Sequence, residues 1–163
     1  MATQSKQISS IHPSGFDFLR KLSKNNNREW FNAHKDEYLE QLALVEGFAD
    51  YVGYLGSGVP VPFVAEELGN DVHRGRVPRS LPSTSQFNGG SRTLAQAYEG
   101  GWLACRMIAA QWSQRTLVDF YASVGTSSLP PAAALAQATE AYLQLTPSQF
   151  VHRWQQFLRS QLA

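Results

Sequence analysis

The chain is short of several things that would otherwise suggest a function. It has one cysteine, Cys105, in 163 residues, so no internal disulfide and no cysteine-rich zinc site can form. It has no surplus of basic charge: 14 lysines and arginines against 13 acids leave a net charge of +1. Without a basic stripe to collect phosphates, nucleic acid is not an expected partner. No apolar run is long enough for a bilayer; the best, residues 100–112, is interrupted by Arg106, so no membrane association is expected. The polar first ten residues lack the apolar core of a signal peptide, which sets a cytoplasmic default. Charged residues are only 17%, and no alternating apolar–polar run marks a strand.

What is present is apolar material at helical spacing. Hydrophobic residues make up 43% of the chain, enough for one ordinary domain that buries roughly 70% of its unfolded surface. Phe16, Leu19 and Leu22 set a first helix over 14–23, which the asparagines at 25–27 stop. Asn26 and Glu29 resemble a capping pair for a second helix through Trp30 and Phe31. A long pattern over 35–55 follows, with one apolar stripe at Tyr38, Leu42, Val45, Ala49 and Val52 and another at Leu44, Phe48, Tyr51 and Leu55. Two stripes predict a helix wedged between two layers. Glu46 and Asp50 lie one turn apart at their border.

Glycines and prolines at 56–62 end that helix, and 63–73 reads as the next. Residues 74–90, with two prolines and three glycines, read as a loop over the core, long enough to suggest a functional origin. Helices are then predicted over 91–112, 117–124, 130–142 and from Thr146 to the end. The last has a cap, a first-turn proline and a capping-box glutamine in Thr146, Pro147 and Gln149. The expectation is an all-α chain of about six helices.

Two resemblances follow from particular motifs. Residues 16–41, with Asn25-Asn26-Asn27-Arg28-Glu29-Trp30-Phe31 and His34-Lys35-Asp36-Glu37-Tyr38, resemble the N-terminal edge of an uncharacterised bacterial and fungal domain family. From about Leu44 onward the chain resembles the C-terminal helical part of gluzincin-type zinc metallopeptidases. The carrying segments are Val45-Glu46-Gly47-Phe48-Ala49-Asp50-Tyr51-Val52, Gly75-Arg76-Val77-Pro78-Arg79 and Ala97-Tyr98-Glu99-Gly100-Gly101-Trp102-Leu103, and the last helix from Phe150 to Leu158 fits as well. Residues 1–42 therefore read as a segment of one family and 43–163 as a gluzincin-like region, the two meeting inside one helical pattern and expected to pack as one unit.

The second resemblance implies roles. Glu46 corresponds to the family's third zinc ligand, Tyr98 to its oxyanion hydrogen-bond donor, and Asp50 to an acid behind the ligand. The family's two other ligands and its general base lie on a His-Glu-x-x-His helix, where histidines at i and i+4 share a face. This chain has no such motif: its histidines are His12, His34, His73 and His152, no two of them four apart. His34 and Glu37 are the nearest substitutes, at a spacing that solvated helix faces also carry. No cofactor is expected, although zinc serves the family. Without metal and base, water has neither activation nor a proton acceptor.

The expectation is a non-catalytic chimeric or truncated metallopeptidase-like helical protein. One alternative is a zinc-dependent hydrolase whose His-Glu-x-x-His ligands arrive in trans. Another is a helical protein-binding module that self-associates or docks a partner through exposed apolar helix faces. Each striking residue also has an ordinary reading: Glu46 and Asp50 as rim carboxylates, Tyr98 as a core tyrosine, Gly100 and Gly101 as a tight helix contact. Arg74, Arg76 and Arg79 would be surface charge, and Cys105 a core thiol beside Trp102 and Ile108.

Overall fold

The computed structural model describes residues 46–87 and 90–163. The described residues are all-α, with no strand among them. The helices expected over 14–23 and from Asn26, and the first part of the 35–55 pattern, lie outside the described residues. Helix α1 is seen over 46–54. It is followed by α2 (Val61–Val64), α3 (Glu66–His73), α4 (Thr84–Phe87), α5 (Ser91–Gln111), α6 (Gln114–Thr126), α7 (Pro131–Leu143) and α8 (Pro147–Leu162). None is long and apolar enough to cross a membrane.

Helix α5 is the axis of the fold, in contact with α3, α4, α6 and α8. The sequence places Leu94, Tyr98, Trp102, Cys105, Ile108 and Trp112 on one side of α5; Trp102, Cys105 and Ile108 are buried, but Ala97, Leu103 and Met107 on other sides are fully buried too. A helix apolar nearly all round is one surrounded by others. Helix α8 buries Phe150, Trp154, Leu158 and Leu162, an i, i+4 row along one face; of the face the sequence suggests, Phe150, Trp154, Phe157 and Leu158, only Phe157 is partly exposed. Its N-terminus is the expected capping box: Thr146 Oγ1 accepts from Gln149 N, and Gln149 Oε1 accepts from Thr146 N at 2.8 Å.

Local chemistry sets most of the other ends. Ser113 caps α6 by accepting from Thr116 N at 2.9 Å, which turns the chain immediately after α5. Helix α6 runs through Gly125, where the sequence pattern predicted its end. Gln144 ends α7 in the left-handed region at φ 56°, a position glycine usually fills.

Three further readings are corrected. The 63–73 segment is two helices, not one, because the backbone breaks at Ala65. The 74–90 stretch is not loop throughout but holds the short α4, and it lies on the core as expected: Gln155 on α8 donates to the Pro78 carbonyl at 2.8 Å. Helix α1, within its described part, is buried on one side only. Gly47 and Tyr51 face the core, while Ala49, Val52 and Leu55 face solvent. Of the two predicted stripes, the one holding Phe48 and Tyr51 is the core face.

Candidate helix-crossing site

The place to look for chemistry is where α1 crosses α5. A Cβ built on Gly47 would sit 2.6 Å from the Gly101 carbonyl carbon, so the two backbones touch and only glycine fits at 47. Gly100 serves the opposite side of α5. A Cβ there would meet Pro82 Cγ at 3.0 Å and Trp154 Cζ2 at 3.3 Å, and the Trp154 indole N–H donates to the Gly100 carbonyl at 3.2 Å. The glycine pair thus admits α1 on one side and the 74–90 loop with α8 on the other.

This contact sets the surroundings of Glu46 and Asp50, which flank Gly47 on α1 and are both half-buried. Burial, and secondarily the Asp50 charge, raises the Glu46 carboxyl above its usual range; burial does the same for Asp50. Asp50 also acts on Cys105, whose thiol is pushed up to about 12, mainly by burial. Tyr121 on α6 completes the group. Its ring stacks on Phe48 with centroids 4.3 Å apart, and its hydroxyl is held neutral by burial, then by Cys105 and Glu46. All four groups are shifted the same way, towards their uncharged forms. Among the described residues neither Glu46 nor Asp50 has an ion-pair partner.

The residues singled out from the sequence are brought together only in part. Glu46 and Asp50 do meet. Tyr98 lies on the α5 face that carries Cys105, about 10 Å along the axis from it. Its ring meets Phe87 of α4 edge-on, with centroids 5.2 Å apart. Tyr121 is a phenol that feels the Glu46 charge; the sequence shows it only as one of the apolar-spaced residues Leu117, Val118, Phe120, Tyr121 and Val124 of the 117–124 helix. Its heptad-like offset from Leu117 and Val124 hid its polar end. Cys105 is a core thiol as expected, and one protonated at neutral pH is no nucleophile.

The arginines of the loop are dispersed. Arg76 pairs with Asp71, which Arg92 also reaches at 2.6 Å, while Arg74 lines a shallow cleft with Glu67, Asn70 and Arg92. A second polar cluster was missed entirely. Glu99 of α5 is 7% exposed and accepts from the backbone N–H of Leu68 at 2.7 Å and of Glu67 at 3.3 Å. It caps α3, whose own N-cap position is an alanine.

The donors at the crossing do not fit a gluzincin zinc. They are two carboxylates, a phenol and a buried thiol, with no imidazole, and no three metal-binding side chains converge among the described residues. His73 Nδ1–H donates to the Gly69 carbonyl at 2.9 Å on α3, and His152 Nε2 meets the Gln156 amide at 3.1 Å on α8. His12 and His34 lie outside the described residues.

Comparison with known proteins adds one match. Residues 14–55 are similar to the family described as Conserved hypothetical protein (DUF2461), a match that takes in Glu46, Gly47 and Asp50. No curated protein matches the chain. No solved structure matches it. The resemblance is thus to an uncharacterised family, over less than half of the chain.

Proposed function

We propose that the chain is a non-catalytic helical protein of metallopeptidase-like ancestry, whose Glu46–Asp50 face is the carboxylate part of a metal site without its imidazoles. In this reading residues 1–42 and 43–163 differ in origin, and Tyr98 keeps the position of the family's oxyanion donor. The observation that carries the proposal is the α1–α5 crossing. It holds Glu46 and Asp50 half-buried, shifted towards neutrality, with no compensating cation among the described residues. A carboxylate pair in that state suits an added positive charge but lacks the remaining ligands to retain one.

The test is metal analysis and peptidase assay of the untagged chain in micromolar zinc. The expected result is no stoichiometric zinc and no hydrolysis. One zinc per chain that disappears in Glu46→Gln would overturn the proposal. Adding a His-Glu-x-x-His helical peptide distinguishes the alternative of a hydrolase completed in trans, which requires zinc uptake on mixing.

A second reading, a protein-binding or self-associating module, draws on a different observation. Val52, Leu55, Val59 and Phe63 are exposed in one stretch, Phe63 to 80%. Apolar side chains grouped in this way favour association. Sedimentation of the full chain tests it: Phe63→Glu should lower the association state, and a monomer at every concentration would end this reading.

A further inference from the structure

Helix α3 and the start of α5 enclose a small polar cleft that plays no part in the helix crossing. Glu67, Asn70, Arg74 and Arg92 line it, and its volume is about 360 Å³. That is near the lower end for small-molecule sites, roughly 300–1,000 Å³. Glu67, Asn70 and Arg74 follow one another at i, i+3 and i+7, so they share one face of α3 and its C-terminal cap. Arg92 meets them from the first turn of α5. The cleft thus carries both signs of charge, with the Asn70 amide between Glu67 and Arg74 along α3.

The walls are fixed from behind. Asp71 accepts from Arg92 at 2.6 Å, from Gln96 of α5 at 2.8 Å and from Arg76. The bond to Arg92 uses one terminal nitrogen, so the guanidinium keeps further N–H donors for a ligand. Gln96 also donates to the Glu67 carbonyl at 3.3 Å, which ties that end of the cleft to α5. Arg74 is set by the end of α3. Its backbone N–H donates to the Asp71 carbonyl at 3.1 Å, and Gly75 turns the chain away at φ 74°. Among the described residues no carboxylate lies within ion-pair distance of the Arg74 guanidinium.

We propose that this cleft binds a small zwitterion, a free α-amino acid, with its carboxylate on Arg74 and Arg92 and its ammonium on Glu67. The mixed charge disfavours simpler ligands. A bare anion is attracted by the arginines but repelled by Glu67, and a bare cation has the reverse problem. A molecule with both charges a few bonds apart gains from every wall. Arginine suits the carboxylate end, because its planar fork can donate two parallel hydrogen bonds. No apolar side chain lines the cleft, so the amino-acid side chain faces solvent and glycine suffices.

The affinity is weak, since exposed charge pairs contribute at most about fivefold each. Kd is therefore in the millimolar range and rises with salt. The cleft shares no residue with the Glu46–Asp50 face, and the fate of that reading leaves this one untouched.

The experiment is an NMR titration of the full chain with glycine, following the Asn70 side-chain amide and the Arg74 and Arg92 Nε–H signals. Acetate and methylamine serve as half-ligands. Glycine should shift all three signals with a single Kd, and each half-ligand should bind about fivefold more weakly or worse. Arg74→Gln should weaken glycine by about three- to fivefold. Arg79→Gln removes the same charge outside the cleft and should leave glycine binding unchanged; both side chains are exposed, so both variants keep the fold. Glu67→Gln should weaken glycine yet strengthen acetate, because the repelling carboxylate is gone. Unsaturable or absent shifts with glycine would overturn the proposal. So would acetate matching glycine in the parent protein, or equal losses in Arg74→Gln and Arg79→Gln.

Discussion

Two pairs of acids sit on opposite sides of the same helix system, and they behave differently. Glu46 and Asp50 are a turn apart on one helix, both raised, with no hydrogen-bond donor from the described residues. Glu67 and Glu99 come from two helices and are pushed in opposite directions, and Glu99 is held by two backbone N–H groups of α3. Proximity of two carboxyls is thus not enough to define their chemistry. Donors decide whether a pair becomes part of the scaffold or stays a strained surface feature.

The sharpest way to break this comparison is alanine substitution in each pair. Glu99→Ala should destabilise by about 2–3 kcal/mol, because it strands buried N–H donors at the start of α3. Glu46→Ala should change stability by less than ~1 kcal/mol, in the stabilising direction near neutral pH, since it removes a half-buried charge that solvent still partly screens. Chemical denaturation measures both, and equal costs would erase the distinction.

Next in size is Gly47→Ala. Its Cβ would collide with the Gly101 backbone, so α1 must move off α5, at a cost of about 1–3 kcal/mol. The Tyr121 titration should shift with it, because Glu46 and Phe48 move together. A Gly47→Ala protein as stable as the parent would mean that the crossing does not set this site.

The smallest expected effect concerns pH. Raised carboxyls bind protons more tightly in the folded chain, so Glu46 and Asp50 contribute stability below their ordinary range and lose it as pH rises through their raised values. The double variant Glu46→Gln with Asp50→Asn should remove that slope and leave the loss due to Glu99, whose carboxyl burial pushes up to about 7. Unfolding followed from pH 4 to pH 8 separates the two, and an unaltered profile would show that the first pair contributes nothing.

Much of the scaffold was legible in the order of residues. The helix from Thr146, with its cap, proline and glutamine, formed as read, because all its signals lie within four residues of each other. The all-α class followed from repeated apolar spacing. Reading failed where the deciding partner was distant. Ala65 interrupts the helix expected over 63–73, and α3 starts there because Glu99, 31 residues away from Leu68, supplies the cap. Gly100 and Gly101 could be recognised as a close approach, but not that α1 takes one side and Trp154 the other. Of the candidate site, the Glu46–Asp50 adjacency was readable from helical spacing, and so was Cys105 as a core thiol, while the approach of Cys105 and Tyr121 to that pair was not.

By itself the sequence determined the helical class, most helix ends, the absence of a His-Glu-x-x-His motif and the neighbourhood of Glu46 and Asp50, all of which depend on spacing within a few turns. Tertiary structure alone decided which stripe of α1 is buried, which phenol faces Glu46, and that Glu99 caps a helix it does not belong to. Those outcomes depend on contacts between residues far apart in the chain, and local periodicity carries no information about which helix will supply them.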